Sequence, residues 1–549
     1  MKKISNFLAC AAILTSPSYA APHLMGLSPG IKALGTPSPT PTPTPGALVP
    51  GSTPVGSWSA TINPGQQGSS TFQTIAQWDD VPRAGKNNGD RVCVVAFSPP
   101  NTTEYNNGVK NAIAKVRFIA NNGTPIDVST PVTDGPIAPR QEYCVTLDLS
   151  AVTAGTYIEA RFIAYPTNGM PAVGQGSDDN LYDIDFKGQA GFYSLFFQAK
   201  PSITEYYVNG TSGNDGNSCT ASGNACATIT GVRNKIGAAD YANIEACLYA
   251  GNYSLRSTGD TSNRTASNGW FTITTCPGVA KNAVTLTDWG ADGNGSRISY
   301  TRIKGIQISN GRKMHDVIGQ GTTFPSAIWL DNVDWVNDPT CQTGSCGASP
   351  QGSGYPFNFS SSNAFKGGVF VTSTLFQYFL NGPYGCNLCR NLTVRDIASD
   401  SFQMTHTVLN STVEHVNYCC GAHPDWMQRQ GAGVGQGPDA YNIVFYGNTA
   451  TLDVDTQGIF NTTGGRVFNS FFGYNALDNS PNTNRNMLSL DADGDGGGNN
   501  FFLANSWTGG GLRAGSIPGT HFIDQVCPSK TFGVGTPATW TIRGSSTCQ

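Results

Sequence analysis

"RNLTVRDI" (390–397) and "LNSTVEHV" (409–416) superpose with an offset of 19 residues, matching Asn391 with Asn410 and Val394 with Val413. Each is one short apolar strand introduced by an asparagine. The pattern continues in "YNIVFYGN" (441–448), "RVFNSFFGYN" (466–475) and "NNFFLANSW" (499–507). Intervals of roughly 20–35 residues are those of stacked coils, in which every coil buries its strand only against its neighbours. Only 12% of the 549 residues are charged, about half the usual share of roughly 25%. The 66 glycines, with abundant Asn, Ser and Thr, favour tight turns over helices. The fold class expected is all-β, a solenoid of parallel strands.

The solenoid opens at "EYYVNGTSGNDGNSCTASGNACATITGVRNKI" (205–236): a strand ending in "YYV", a "GNDGN" turn, then "ATITGVRNKI". This opening resembles the pectate-lyase-like right-handed parallel β-helix superfamily, of the secreted, polysaccharide-active type. The resemblance spans roughly 203–527. It implies a right-handed parallel β-helix over that range, with "ATITGVRNKI" as a helix covering the otherwise bare end of the coil. It also implies activity on polysaccharides. Lyases of this kind eliminate across uronic-acid linkages with a basic residue, and related hydrolases use clustered aspartates. The strand motifs of neither set stand in this sequence, so no substrate is carried over, and one scaffold hosts many functions.

Ahead of the solenoid, residues 56–200 alternate apolar and polar positions in "DRVCVVAFS" (90–98), "AIAKVRFIAN" (112–121), "EYCVTLDLS" (142–150) and "YIEARFIAYP" (157–166). These read as an immunoglobulin-like β-sandwich, serving as a spacer or as a sugar-binding module. Residues 21–55 contain "TPSPTPTPTPG", an extended Pro/Thr-rich linker. Residues 1–20 carry a basic start, a short apolar core and "SYA", the pattern of a signal peptide. No later segment approaches the ~18 apolar residues of a membrane span. A net charge of −4 without a basic run argues against nucleic acid. The protein expected is secreted, extracellular or periplasmic, and monomeric, with cell-surface association open.

Fifteen cysteines become fourteen once Cys10 leaves with the signal, an even number suited to an oxidising compartment. Nearness in sequence suggests Cys93–Cys144, Cys219–Cys226, Cys247–Cys276, Cys341–Cys346 and Cys527–Cys548, the last tying down a tail at 528–549. Cys386, Cys389, Cys419 and Cys420 remain, as disulfides or as a tetrahedral zinc site.

Chemistry concentrates where two coils carry Asp-x-x-Gln 25 residues apart: "DSFQ" (400–403) and "DWMQ" (425–428). Equivalent positions stack at the ~4.8 Å strand spacing. Asp400 and Asp425 are then close enough to raise the pKa of one of them or to demand a cation. The second coil is longer by six residues, 25 against 19, in the cysteine-containing run before His423. Three of the six histidines, His406, His415 and His423, lie within 18 residues. No lysine occurs between Lys366 and Lys530, so a base in this region is His, Arg, Tyr or a carboxylate. His423 is the leading candidate, with His406 beside it. Arg429 or Arg395 suits a substrate carboxylate, and Trp426 offers a ring to a sugar unless it faces the core. Gln403 and Gln428 bind substrate or form a purely structural ladder. "DADGDGGGNN" (491–500) sets Asp491, Asp493 and Asp495 as the start of a calcium loop, but the twelfth position is Phe502 instead of Glu. Calcium is the one cofactor suggested, an acidic glycine turn the alternative.

The function expected is an exported polysaccharide-degrading enzyme, a lyase on a uronate-containing glycan. A hydrolase using Asp400 and Asp425, or a non-enzymatic glycan-binding surface protein, are the alternatives.

Overall fold

The computed structural model describes most residues of 46–53, 74–132, 142–173, 195–309, 328–337, 369–416, 424–461, 467–513 and 519–543. Residues 45–549 form one compact unit. Among the described residues the three largest parallel sheets wind through it, beside two short ones. Among the described residues the long sheet has thirteen strands, from Thr204–Val208 to Thr541–Arg543. The second sheet has ten, from Gly251–Ser254 to Ser506–Thr508, and the third has six, from Phe402–Gln403 to Phe532–Gly533. Successive coils pair in parallel, and Val394 stands opposite Val413, as the offset of the two quoted stretches requires. This is a parallel β-helix.

The asparagines of those stretches make the corner. Asn391 (φ 57°) and Asn410 (φ 50°) are the turn residues between the long and the second sheet. Gly305, Asn332, Ser373, Gly447, Tyr474, Ala504 and Asp524 hold the same place at positive φ in other coils. A left-handed residue is cheap for Gly and tolerated by Asn and Asp, which explains the recurrence of Asn. Inside the coil, strand alternation directs one apolar residue per turn into the core. Phe445, Phe472, Phe502 and Phe522 stack at centroid spacings of 5.8, 4.9 and 4.7 Å. Helix Ile229–Ile236 lies at the first coil, its N-terminus capped by the Thr228 hydroxyl, which accepts from the Gly231 N–H at 2.9 Å.

The front module has strands Arg91–Phe97, Ile113–Ala120, Glu142–Thr146 and Tyr157–Pro166 where the alternation places them. They belong to two sheets that share one apolar core, with Trp78 of one sheet against Phe162 of the other at 4.9 Å. The Cys93–Cys144 disulfide joins neighbouring strands of a single sheet. The bridge of an antibody domain instead crosses between sheets.

The module is docked on the solenoid, which a spacer would not be. Ile75, Val81, Val95 and Phe97 belong to the solenoid's apolar cluster. The Trp270 indole N–H donates to the Pro82 carbonyl at 2.9 Å, and the Arg83 guanidinium lies over the Tyr300 ring at 3.6 Å. Arg390 donates to the Asp79 carbonyl and carboxylate at 2.8 and 3.1 Å. Burial nevertheless keeps the Asp79 carboxyl well above the usual carboxylate range, outweighing Arg390. Gln77 donates to the Asn442 carbonyl at 3.2 Å, and Phe97 stacks on Phe471 at 3.5 Å. Asp524 receives Tyr105 and Lys110, and Arg543 donates to the Pro100 carbonyl. Under the module the long sheet is therefore buried on both faces, which is why "VFY", "FFG" and "FFL" are apolar throughout instead of alternating.

Cys219–Cys226 and Cys247–Cys276 form as expected, and Cys527 is disulfide-bonded. Cys386 is bridged to Cys389, which removes the zinc site assembled from those two thiolates. Cys341, Cys346, Cys419, Cys420 and Cys548 lie outside the described residues. Among the described residues no helix is long and apolar enough to cross a membrane.

Truncating Phe97 to Ala removes the largest apolar contact of the docked face. The expected loss is about 3–5 kcal/mol of unfolding free energy, measured by urea denaturation of the full chain. A loss below about 1 kcal/mol would mean the module contributes no core there.

Candidate functional site

The two Asp-x-x-Gln stretches fall on the first two strands of the third sheet, Phe402–Gln403 and Asp425–Arg429, with Gln403 opposite Gln428. Asp400, Gln403, Asp425 and Gln428 are all buried. The Gln403 side-chain N–H donates both to Asp400 Oδ2 and to Gln428 Oε1, the latter at 2.8 Å. Gln428 in turn donates to Asp425 Oδ2 at 2.9 Å, and the Asp425 backbone N–H donates to Asp400 Oδ1 at 2.9 Å. Two carboxyls and two amides thus form one network across neighbouring coils. Burial pushes the Asp400 carboxyl up to about 7, against the lowering effect of its bonds from Gln403 and Asp425.

The same molecule shows what a structural ladder looks like. Just past the corner residues, Asn448, Asn475 and Asn505 stack in successive coils. The Asn448 and Asn475 N–H groups donate to the next side-chain oxygen at 3.0 Å each. The Asn448, Asn475 and Asn505 amides donate to the Val408, Phe445 and Phe472 carbonyls at 3.1, 2.9 and 2.8 Å. Gln525 closes the stack by accepting from Asn505 at 3.2 Å. The Asp/Gln network is not closed in this way. Among the described residues the Gln403 amide oxygen and the Ser401 hydroxyl are buried without a hydrogen-bond partner. An orphaned buried polar atom costs about 1–3 kcal/mol, and these two sit within one network of two carboxyls and two amides.

The structure separates Trp426, His406 and Arg395 from this network. Trp426 is fully buried with its ring against Phe445 at 5.3 Å, so it belongs to the core and offers no sugar platform. His406 is buried at the head of a long-sheet strand, its Nδ1 at 3.0 Å from the Thr407 hydroxyl. Arg395 sits in the second sheet, donating to Gln377 Oε1 at 3.1 Å with Asp396 at 4.0 Å. Arg429 ends the strand that carries Asp425, paired with Asn461, and its side chain lies outside the described residues. His423, Asp455, Asp491, Asp493 and Asp495 also lie outside them. Among the described residues no group of three His, Cys, Asp or Glu is placed to hold a metal ion.

Two features escaped the sequence reading although the 19-residue offset contains both. Asn381 stands 19 residues before Asp400 and accepts from its N–H at 3.2 Å. Asp396 stands 19 before His415, and both are left-handed residues at φ 53° in the second sheet. His415 is exposed, with Nδ1 3.9 Å from Asp453.

No family model matches the sequence, and no curated protein matches it. Among solved structures it is similar to a Yersinia enterocolitica family 28 exopolygalacturonase. That similarity has 10% identity over 87% of this chain and 97% of the other, at a TM-score of 0.27. At that level neither residues nor chemistry transfer from one to the other.

The titration of Asp400 has a stability consequence of definite sign. In the unfolded chain it deprotonates near 3.8, whereas in the folded protein it keeps its proton up to about 7. The folded state therefore binds more protons between these values, and stability falls as pH rises through that window, then levels off. Asp400→Asn should flatten this slope, so that its melting temperature relative to the parent rises from pH 4 to pH 8. Parallel pH profiles of the two proteins would mean that Asp400 is ionised throughout.

Proposed function

We propose that the protein is a secreted, monomeric polysaccharide-degrading enzyme, with Asp400 and Asp425 as its working pair and hydrolysis as its reaction. The observation that carries this reading is a carboxyl holding its proton to about 7 beside a second carboxyl in one hydrogen-bonded network. Two acids with different environments divide the labour of glycosidic cleavage. Asp400 protonates the leaving oxygen, and Asp425 acts as the base for water or as the nucleophile. Gln403 holds Asp400 by its amide N–H. Gln428 holds Asp425 by its amide N–H.

Elimination from a uronate-containing glycan is the second reading. It is favoured by the placement of His423 two residues before Asp425 and of Arg429 at the end of the same strand. There His423 abstracts the proton, Arg429 takes the carboxylate, and the acidic turn of Asp491, Asp493 and Asp495 binds calcium. The front module, read as immunoglobulin-like, braces the long sheet in either case.

The test is a panel of neutral and acidic polysaccharides, assayed for new reducing ends and for absorbance near ~235 nm, with calcium and with EDTA. Reducing ends without absorbance are expected, lost by about 10²–10⁴-fold in Asp400→Asn and in Asp425→Asn, with an alkaline limb near the Asp400 titration. Absorbance that disappears in His423→Ala would replace hydrolysis with elimination. No product from any polysaccharide would leave glycan binding, measured by retention on the same panel, as the function.

A further inference from the structure

The coil before Asp400 contributes no strand to the third sheet among the described residues, yet it holds the Asp400–Gln403 segment at both ends. The Asp400 N–H donates to Asn381 Oδ1 at 3.2 Å, and the Gly382 N–H donates to the Asp400 carbonyl at 2.7 Å. Three residues on, the Gln403 N–H donates to the Pro383 carbonyl at 3.0 Å, and the Gly385 N–H donates to the Gln403 carbonyl at 2.9 Å. Asn381, Gly382, Pro383 and Gly385 form a ledge whose four bonds grip the two ends of Asp-x-x-Gln. A Cβ at Gly382 would run into the Ser401 carbonyl oxygen, so the close approach needs glycine there. The Cys386–Cys389 disulfide closes the far end of the ledge.

The ledge also heads a stack. Asn381 lends its side-chain oxygen to the Asp400 N–H, and Asp400 lends its own to the Asp425 N–H. Three successive coils thus present amide, carboxyl, carboxyl at one position. The polarity is the reverse of the asparagine ladder, where each N–H reaches forward to the following coil's side chain. Asn381 is itself buried, so its amide is not there for solubility.

We propose that Asn381 is the positioning residue of the carboxyl pair: by holding the Asp400 N–H it fixes where that side chain stands over Asp425, and as an amide it keeps the stack at two carboxyls. The inference rests on the reading of Asp400 and Asp425 as the working pair. Among the described residues the titratable group that faces Asp400 is Asp425; Asn381, Gln403 and Gln428 face the pair as neutral amides.

The test uses two variants of the full chain and a readout that needs no catalysis. Asn381→Asp is nearly isosteric and keeps the acceptor but adds a third carboxyl. The Asp400 midpoint, followed by carboxyl-carbon NMR, should move up by about one unit or more, and the alkaline limb of any glycan cleavage should move with it. Asn381→Leu removes the acceptor at similar volume. It should lower kcat by about tenfold or more with KM within about twofold, the mark of lost orientation and not of lost binding. An unmoved midpoint in Asn381→Asp, or full kcat in a folded Asn381→Leu protein, overturns the proposal even if the parent cleaves glycans. A midpoint that moves in a protein without glycan-cleaving activity upholds the positioning role and sinks the functional reading.

Discussion

From Gly305 to Asp524 each described coil turns from the long sheet into the second through a single residue at positive φ, and the rest of the molecule follows from that constraint. One left-handed residue gives a corner too tight to hold anything but hydrogen-bonding backbone, so each coil sits flush on the last. Flush stacking places equivalent side chains one strand spacing apart for the length of the solenoid. Phenylalanines then stack on phenylalanines in the core, asparagines bond to asparagines beside the corner, and Asp400 is brought over Asp425. The carboxyl pair is a by-product of the same periodicity that builds the core.

That periodicity explains what could be read without coordinates. Asn391 and Asn410 announced the corner, and the apolar residues after them announced the strands, because both are local consequences of the backbone. The pairing of Gln403 with Gln428 was legible for the same reason: a repeat in sequence is a contact in space. Trp426 was not. A ring beside charged residues reads as a ligand platform, and only the packing of Phe445 shows that it fills the core. The split of His406 and Arg395 onto different sheets from Asp425 was equally hidden, since nearness in sequence ignores how many corners lie between. Docking of the front module was recorded in "FFG" and "FFL", whose lack of alternation signals a sheet covered twice, but covered by what could not be deduced.

Two polar stacks built on one scaffold show how the same geometry serves opposite ends. Asparagine carries a donor and an acceptor on one short arm, so a column of asparagines saturates itself and becomes inert. Replacing two members of such a column with aspartate leaves acceptors in excess and a proton to be shared. Glutamine supplies some of the missing donors, but not in a closed cycle, and the unpaired oxygen of Gln403 is the remainder. Among the described residues the Asp/Gln stack is a ladder whose hydrogen bonds do not close on themselves.

The docked module changes how such a solenoid responds to heat or denaturant. A repeat array held only by neighbour contacts behaves as a one-dimensional chain, able to fray from an end or melt in the middle while the remainder stays folded. Here one segment of the module, the strand Ile75–Trp78 and the turn after it, descends from Arg83 to Gln77 as the coils rise from Tyr300 to Asn442. The chain that returns from Phe97 to Lys110 follows the coils on to Asp524 and Arg543. Coils far apart in sequence are thereby tied to one rigid body, and losing any of them costs contacts with it. The array acquires a second dimension, and sharp, all-or-none melting like that of a globular domain is the expected consequence.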